Sequence, residues 1–244
     1  MESTQSTAFD LAAQGAVDRT VVVAEHQTAG RGRRGHPWQD EPGANLLCSI
    51  IVRSPLPIAR CPLLSLVAAV AVAEALAAVA GVDARLKWPN DVLIGDRKVA
   101  GILLESKSVA TTSTPPQLDP AIEPDATIIG IGVNVSQSRF GPELAAVATS
   151  LVVEGGRTIS RTELLDALLD RFDCWRARLE KEGFAPVRER WLMLADTIGR
   201  EVRVDGQTGL AVGLDEDGAL LLRHAGRTRR VVAGTPTSTG SGRD

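Results

Sequence analysis

Residues 30–35 read GRGRRG, three glycines set among three arginines. Glycines let a backbone come close to a ligand and present N–H groups to it. Arg31, Arg33 and Arg34 add planar forks that match phosphate or carboxylate oxygens. The chemistry is anion capture, with a phosphate-bearing ligand as the first expectation. A solvated basic turn, or a flexible Arg/Gly contact to RNA, uses the same residue types, so this loop by itself leaves those readings open.

A second cation lies some fifty residues downstream, where 85–91 read RLKWPND. Lys87 stands among apolar neighbours on a run that reads as a strand ending at Pro89. An ammonium in such surroundings needs an anionic partner, because an unpaired buried charge is expensive; a strand-edge lysine reaching solvent is the alternative. Further on, 126–135 read ATIIGIGVNV. As a strand this run puts Gly130 and Gly132 on one face, which leaves room for a ligand or another backbone.

The elements around these residues follow from patterning. The β-branched run at 20–25 is a strand that leads straight into the arginine loop, and 46–53 is another. Pro62 suits the first turn of a helix over 63–80, LLSLVAAVAVAEALAAVA. That run is apolar enough to raise a membrane span, but it is short, alanine-rich and interrupted by Glu74, so a helix buried against a sheet is expected. Residues 3–14 open as a helix with Ser3, Thr4 and Ser6 available as caps. Strands at 85–88, 91–94 and 98–105 are separated by PND and GDR turns. Residues 107–125, rich in Ser, Thr and Pro, read as a mobile insertion. Ser160 and Glu163 form a capping box for a helix whose stripe is Leu165, Leu168, Leu169, Phe172 and Leu179, and a second helix covers 185–194. After Gly199 short strands with DG and EDG turns predict a small β barrel. Its basic run, 223–230, is either a solvated strand edge or a surface facing a nucleotide or protein substrate.

With 244 residues and 44% hydrophobic content the chain can bury one large core and a small one. A net charge of −3 argues against a surface built for nucleic acid and makes the arginine loop a local feature. Cys48, Cys61 and Cys174 form no CxxC pair, so neither a disulfide framework nor a metal site is expected. The first residues lack the basic and apolar regions of a secretory signal. A cytoplasmic protein with no membrane segment is the expectation.

Taken in order, GRGRRG after EHQTA, KWPND followed by RKVAGILLE, and the later GIGVN resemble the biotin protein ligase family over nearly the whole chain. The resemblance implies an α+β fold: a mixed, mostly antiparallel sheet packed by helices, of the class II synthetase-like biotin/lipoate ligase type, with an SH3-like β domain. It places the catalytic domain at 1–195 and the C-terminal domain at 196–234; residues 235–244 read by composition as a disordered tail. It also implies ATP and biotin as substrates, Mg2+ with the ATP, and transfer through biotinoyl-5'-AMP to a lysine of a biotin carboxyl carrier domain. Such chemistry needs cations that hold a carboxylate and the α-phosphate together, since two anions repel until neutralised.

Arg31, Arg33 and Lys87 are the set expected, with Lys87 and Arg31 as the catalytic pair. Carried over by position, Ser3, Thr4, Gln5 and Gln27 resemble the polar contacts to the biotin head, with Gly130 and Gly132 as the floor. Gly30, Arg31, Gly32 and Arg33 resemble the loop that closes on the adenylate. Trp38 resembles the aromatic that packs on adenine, with a plain core anchor as the alternative, and Asn134 resembles a residue near the nucleotide. Asn90 and Asp91 are read as a turn.

Family members usually carry a strand before the Ser-Thr segment, whereas Met1 and Glu2 precede it directly here; a misassigned start or a missing edge strand is the expectation. No helix-turn-helix precedes the catalytic region, so an operator-binding role is not expected. A homodimer through an open sheet edge is possible. The rivals are a lipoate or octanoate ligase of the same fold, and a non-catalytic RNA- or phosphate-binding module.

Overall fold

Ser3 stops an extended backbone and starts the first helix. Its hydroxyl accepts from the Gln5 amide at 3.2 Å, satisfying a donor at the helix start. The computed structural model describes residues 1–107, 126–155 and 158–238. In chain order it contains α1 (Thr4–Ala13), β1 (Val21–Ala24), β2 (Asn45–Val52), α2 (Leu63–Ala80), β3 (Ala84–Lys87), β4 (Asp91–Ile94), β5 (Arg97–Lys107) and β6 (Ala126–Asn134). There follow α3 (Leu151–Gly155), α4 (Arg161–Glu182), α5 (Ala185–Leu194), and the short strands β7 (Glu201–Val204), β8 (Gln207–Leu214), β9 (Leu220–His224), β10 (Arg227–Val231) and β11 (Thr237–Ser238).

The α+β class is the one expected. The large sheet runs β1-β2-β6-β5-β4-β3 and the small one β10-β9-β8-β7-β11. Every pairing between these strands is antiparallel; among the described residues, parallel pairing is confined to the isolated bridges Leu86 to Ala195 and Lys98 to Ala148. Strand alternation decides which side chains meet which helices. Leu46, Ile50 and Val52 of β2, with Ile129, Ile131 and Val133 of β6, face α2, α4 and α5 in the main core. Ile51 and Ile128 face the other way, onto Ala8 and Phe9 of α1. Since α1 is only 10 residues long, it leaves the rest of that second face uncovered.

α2 fulfils the buried-helix expectation. Residues 58–80 are long and apolar enough to cross a membrane, with a mean hydropathy of 2.3 over an 18-residue window, yet 67% of that window is buried inside the protein. The helix ends at Gly81, whose φ of 71° is the left-handed stop that favours glycine. α4 starts as expected, with the Ser160 hydroxyl accepting from the Glu163 amide at 3.3 Å. Its buried stripe is Leu164, Leu168, Phe172, Trp175 and Leu179, so Leu165 and Leu169 sit on its shoulders rather than at its centre. Trp88 joins the two sheets: its indole N–H donates to Gly218 O at 3.0 Å and its amide to Thr197 Oγ1 at 2.9 Å.

Two elements were not legible in the patterning. α3 is too short to show a period, and β11 lies within the stretch expected to be a disordered tail. Thr237 and Ser238 pair with Arg203 and Val202; 239–244 of that stretch lie outside the described residues, as do 108–125 of the expected insertion, whose first residue, Lys107, instead ends β5.

Candidate active site

The uncovered part of the sheet face carries the pocket. Its floor depends on register: Gly101 of β5 is paired with Gly132 of β6, and Leu103 with Gly130. The Trp38 ring lies flat on the first pair. A Cβ at Gly132 would stand 2.6 Å from Trp38 Cε2 and Cζ2, and one at Gly101 would stand 3.0 Å from Cζ3, so no larger residue fits under the ring. A Cβ at Gly130 would stand 2.6 Å from Gln5 Oε1.

One end of the pocket is polar and neutral. The Thr4 amide and hydroxyl both donate to Gln27 Oε1, at 2.8 and 3.0 Å. The Ser49 hydroxyl lies 2.9 Å from Thr4 Oγ1 and 3.1 Å from Gln5 Oε1, while Gln5 Nε2 donates to Ile128 O at 3.3 Å. Ser3, Thr4 and Gln5 are buried. Ser49 escaped the sequence reading; the available signal was a lone hydroxyl in the apolar strand LLCSIIV. Its neighbour Cys48 lies against the pocket from the core side, where burial pushes its thiol up to about 12.

The other end is cationic. Residues 30–38 form a tight hairpin in which Trp38 N donates to Gly30 O at 3.0 Å and Gly32 N to His36 O at 2.8 Å. Glycine is required at both bends of this approach, since a Cβ at Gly30 or Gly32 would come within 2.5 or 2.7 Å of the opposite carbonyl oxygen. Arg31 donates to Glu105 Oε1 at 2.7 Å, and Arg33 to Asn90 Oδ1 at 3.0 Å. Asn90 is fixed in turn by donating to Ile102 O at 2.7 Å. Burial lowers the pKa of the Arg33 guanidinium, with Asp91 acting in the opposite direction. At this site, among the described residues, Trp38 Nε1 and Glu105 Oε2 are buried without a hydrogen-bond partner.

Ser3, Thr4, Gln5, Gln27, Arg31, Gly32, Arg33, Trp38, Gly130 and Gly132 therefore line one pocket, and Gly30 supports it from behind through Trp38 and Gln27. Asn134 is placed differently. It is buried beyond the pocket, and its Nδ2 donates to Thr149 O at 2.9 Å, so it pins the chain after β6.

Lys87 is the main correction. It lines a separate groove with Asp196, Thr197 and Arg200, beneath the small sheet. It sits on the edge strand β3, two strands from Gly101, about 10 Å of sheet. The lysine at the pocket is Lys98, whose Cε and Nζ would both lie 2.9 Å from a Cβ at Gly101. Its ammonium is 2.6 Å from Asp91 Oδ1. Strict alternation along β5 would turn Lys98 toward the core, but the pairing with β4 slips between Val92 and Leu93. The extra residue reverses the parity and aims Lys98 at the pocket. Asn90 and Asp91, read as a turn, thus hold Arg33 and Lys98 in place.

The arrangement can bind a neutral hydrogen-bonding head at one end and gather two anionic groups under Arg31, Arg33 and Lys98 at the other. Comparisons with known proteins point the same way. The biotin/lipoate A/B protein ligase family matches residues 1–114, and the biotin protein ligase C terminal domain matches 197–235. The biotin--[acetyl-CoA-carboxylase] ligase of Paracoccus denitrificans is 38% identical over 231 residues, 91% of each chain. The bifunctional ligase/repressor BirA of Bacillus spizizenii is 37% identical over 228 residues, 91% of this chain and 67% of the relative. A solved biotin protein ligase from Aquifex aeolicus, in complex with biotin and ATP, superposes with a TM-score of 0.82 at 29% identity, covering 98% of this chain and 96% of that one. With the expected sheet, the small SH3-like C-terminal sheet and this pocket, the chain belongs to the biotin protein ligase family.

Proposed function

We infer that the protein is a biotin--[biotin carboxyl-carrier protein] ligase. It joins biotin to ATP as biotinoyl-5'-AMP with release of pyrophosphate, and then passes the biotinoyl group to a lysine of a carrier domain of acetyl-CoA carboxylase or a related carboxylase. The observation that carries this reading is the polarity of one pocket: Thr4, Gln5 and Gln27 at a neutral end, backed by Ser49, and Arg31, Arg33 and Lys98 at a cationic end, over a floor of facing glycines.

In the first step a carboxylate oxygen of biotin attacks the α-phosphorus and pyrophosphate leaves. Both reactants are anions, so bringing them to contact requires positive charge held in place beforehand. Lys98 supplies it from a strand, and Arg31 and Arg33 from the loop. In the second step the amine of the carrier lysine attacks the acyl carbon of the mixed anhydride, AMP leaves, and the amine loses its proton. No enzyme nucleophile is needed.

Magnesium reaches such sites bound to the phosphates and takes only one or two carboxylates from the protein. Glu105, with a buried Oε2 that has no hydrogen-bond partner, is the group beside Arg31 that fits this role. The ion would neutralise phosphate charge. The same reading divides the chain into a catalytic region, 1–195, and a C-terminal domain, 196–234, and places the protein in the cytoplasm. A homodimer through the β1 edge, where Val23 is exposed, is part of the proposal.

The test is incubation of the purified chain with ATP, Mg2+, biotin and a carrier domain, scored by avidin blot. ATP-dependent labelling of the carrier, with a lipoyl domain left unmodified, is the expected result. Transfer of lipoate in place of biotin overturns the assignment.

A further inference from the structure

The arginine at the tip of the loop does not face the pocket. Arg34 has φ 55° and ψ 30°, a left-handed conformation that residues with a Cβ rarely adopt. Something outside the hairpin must hold it there. Across the gap lies Asp205, in the tight turn between β7 and β8, also left-handed with φ 46° and followed by Gly206 with φ 81°. Arg34 Nη2 donates to both carboxylate oxygens of Asp205, Oδ1 at 3.0 Å and Oδ2 at 2.8 Å. This hydrogen bonding holds the Asp205 carboxyl below its usual range and raises Arg34.

A second tie runs beside it. Arg33 Nη1, besides bonding Asn90, donates to Gly234 O at 3.4 Å. Gly234 packs on the same turn, since a Cβ there would stand 2.2 Å from Val204 Cγ1. The tip of the pocket loop is thus fastened at two neighbouring points to the small sheet, while Arg31 and Arg33 reach toward the pocket. Arg34 is not among the residues that line the pocket, and its hydrogen bonds run to Asp205.

We propose that Arg34 and Asp205 form a latch through which the C-terminal sheet holds the arginine loop closed over the pocket, retaining the adenylate until the carrier lysine arrives. Both are positioning residues. The proposal rests on the ligase reading for its consequence, but the latch itself can be tested without turnover. A closed loop confers retention by slowing departure, so its loss should appear in the off-rate of the intermediate more than in its rate of formation.

Four variants test it: Arg34→Ala, Asp205→Asn, the two combined, and the swap Arg34→Asp with Asp205→Arg. Asn suits position 205 because it tolerates the left-handed region. The swap exchanges two residue types already accommodated at left-handed positions. Enzyme loaded with biotin and radiolabelled ATP is gel-filtered, and loss of bound adenylate is followed without carrier.

Each single variant should shorten retention by about fivefold, the scale of a solvent-exposed ion pair. The double variant should lose no more than either single, and the swap should recover most of the loss. Raising the salt should speed adenylate loss more from the wild type than from Arg34→Ala. Unliganded Asp205→Asn should also be cut by trypsin within 31–34 faster than wild type at equal melting temperature. Unchanged retention in both singles, additive losses, or equal tryptic cutting would overturn the latch. If wild type forms no adenylate, the ligase reading fails, and the trypsin comparison still decides the latch.

Discussion

The ammonium of Lys98 stands 2.6 Å from Asp91 Oδ1 and 5.6 Å from the centroid of the Trp38 ring. The carboxylate comes from the start of β4 and the ring from the arginine loop, so one side chain ties the sheet to the loop. A cation with such partners is held before any ligand arrives and needs no ordering when it does. The carboxylate and the ring fix the position of the ammonium beside the glycine floor.

Lys98→Ala should therefore lower adenylate formation by about 10²- to 10³-fold, the loss of one preorganised charge donor to a developing anion. Lys87→Ala, two strands away, should leave it within about threefold, as a substitution that touches no reacting group. Pyrophosphate release in single-turnover assays separates the two. A collapse in Lys87→Ala with normal release in Lys98→Ala would return the catalytic role to the KWPND lysine.

Arg31 lies on the loop and is half exposed, paired with Glu105. It must leave that partner, or share it, to meet a phosphate. Arg31→Gly should keep forming adenylate at a reduced rate and release it about tenfold faster, as expected when a charge-assisted contact to the ligand is removed. Indiscriminate labelling of bystander lysines, scored by avidin blot, is the readout. Labelling still confined to the carrier would count against a retaining role.

Gly130→Ala places a methyl 2.6 Å from Gln5 Oε1, and Gly132→Ala places one 2.6 Å from the Trp38 ring. Gln5 is a flexible side chain but is tied to Ser49, and the ring is stacked on two glycines, so both variants must displace pocket groups. Biotin affinity should fall by about tenfold or more for Gly132→Ala and by less for Gly130→Ala, on the scale of overpacking a filled site. Calorimetric titration measures both. Wild-type affinity in Gly132→Ala would show that the ring does not rest on this floor when biotin is bound.

Cys48 is the buried thiol beside the pocket, raised by desolvation from an ordinary 9.0 to about 12. Its folded value lies above its unfolded one, so its contribution to stability is complete below pH 9 and is lost as the pH climbs from there toward 12. Urea unfolding at rising alkaline pH should show a steeper loss for wild type than for Cys48→Ala. At pH 8 in native protein, iodoacetamide should reach the exposed Cys174 and spare the buried Cys48 and Cys61. Rapid alkylation of Cys48 would show that its burial is incomplete.

Much of the site was legible because its residue types have local reasons. The loop glycines Gly30 and Gly32 are required by backbone approach within one hairpin. α2 is apolar all round because it is buried, and the Ser160 cap of α4 acts within four residues. The residues that line the neutral end belong to short segments, 3–5 and 27, that carry hydroxyls and amides where a plain helix start or turn does not need so many.

What the chain by itself determined was the content of each segment: an anion-binding glycine loop, glycine-bearing strands, a buried helix, a β-rich end. Only the tertiary structure decided which segments face one another. Gly101 meets Gly132 by sheet register, and Asp205 meets Arg34 across 171 residues. Lys98 enters the pocket in place of Lys87 because one extra residue in β5 reverses which face its side chain takes, and a two-residue period cannot reveal a slip that is created by the partner strand.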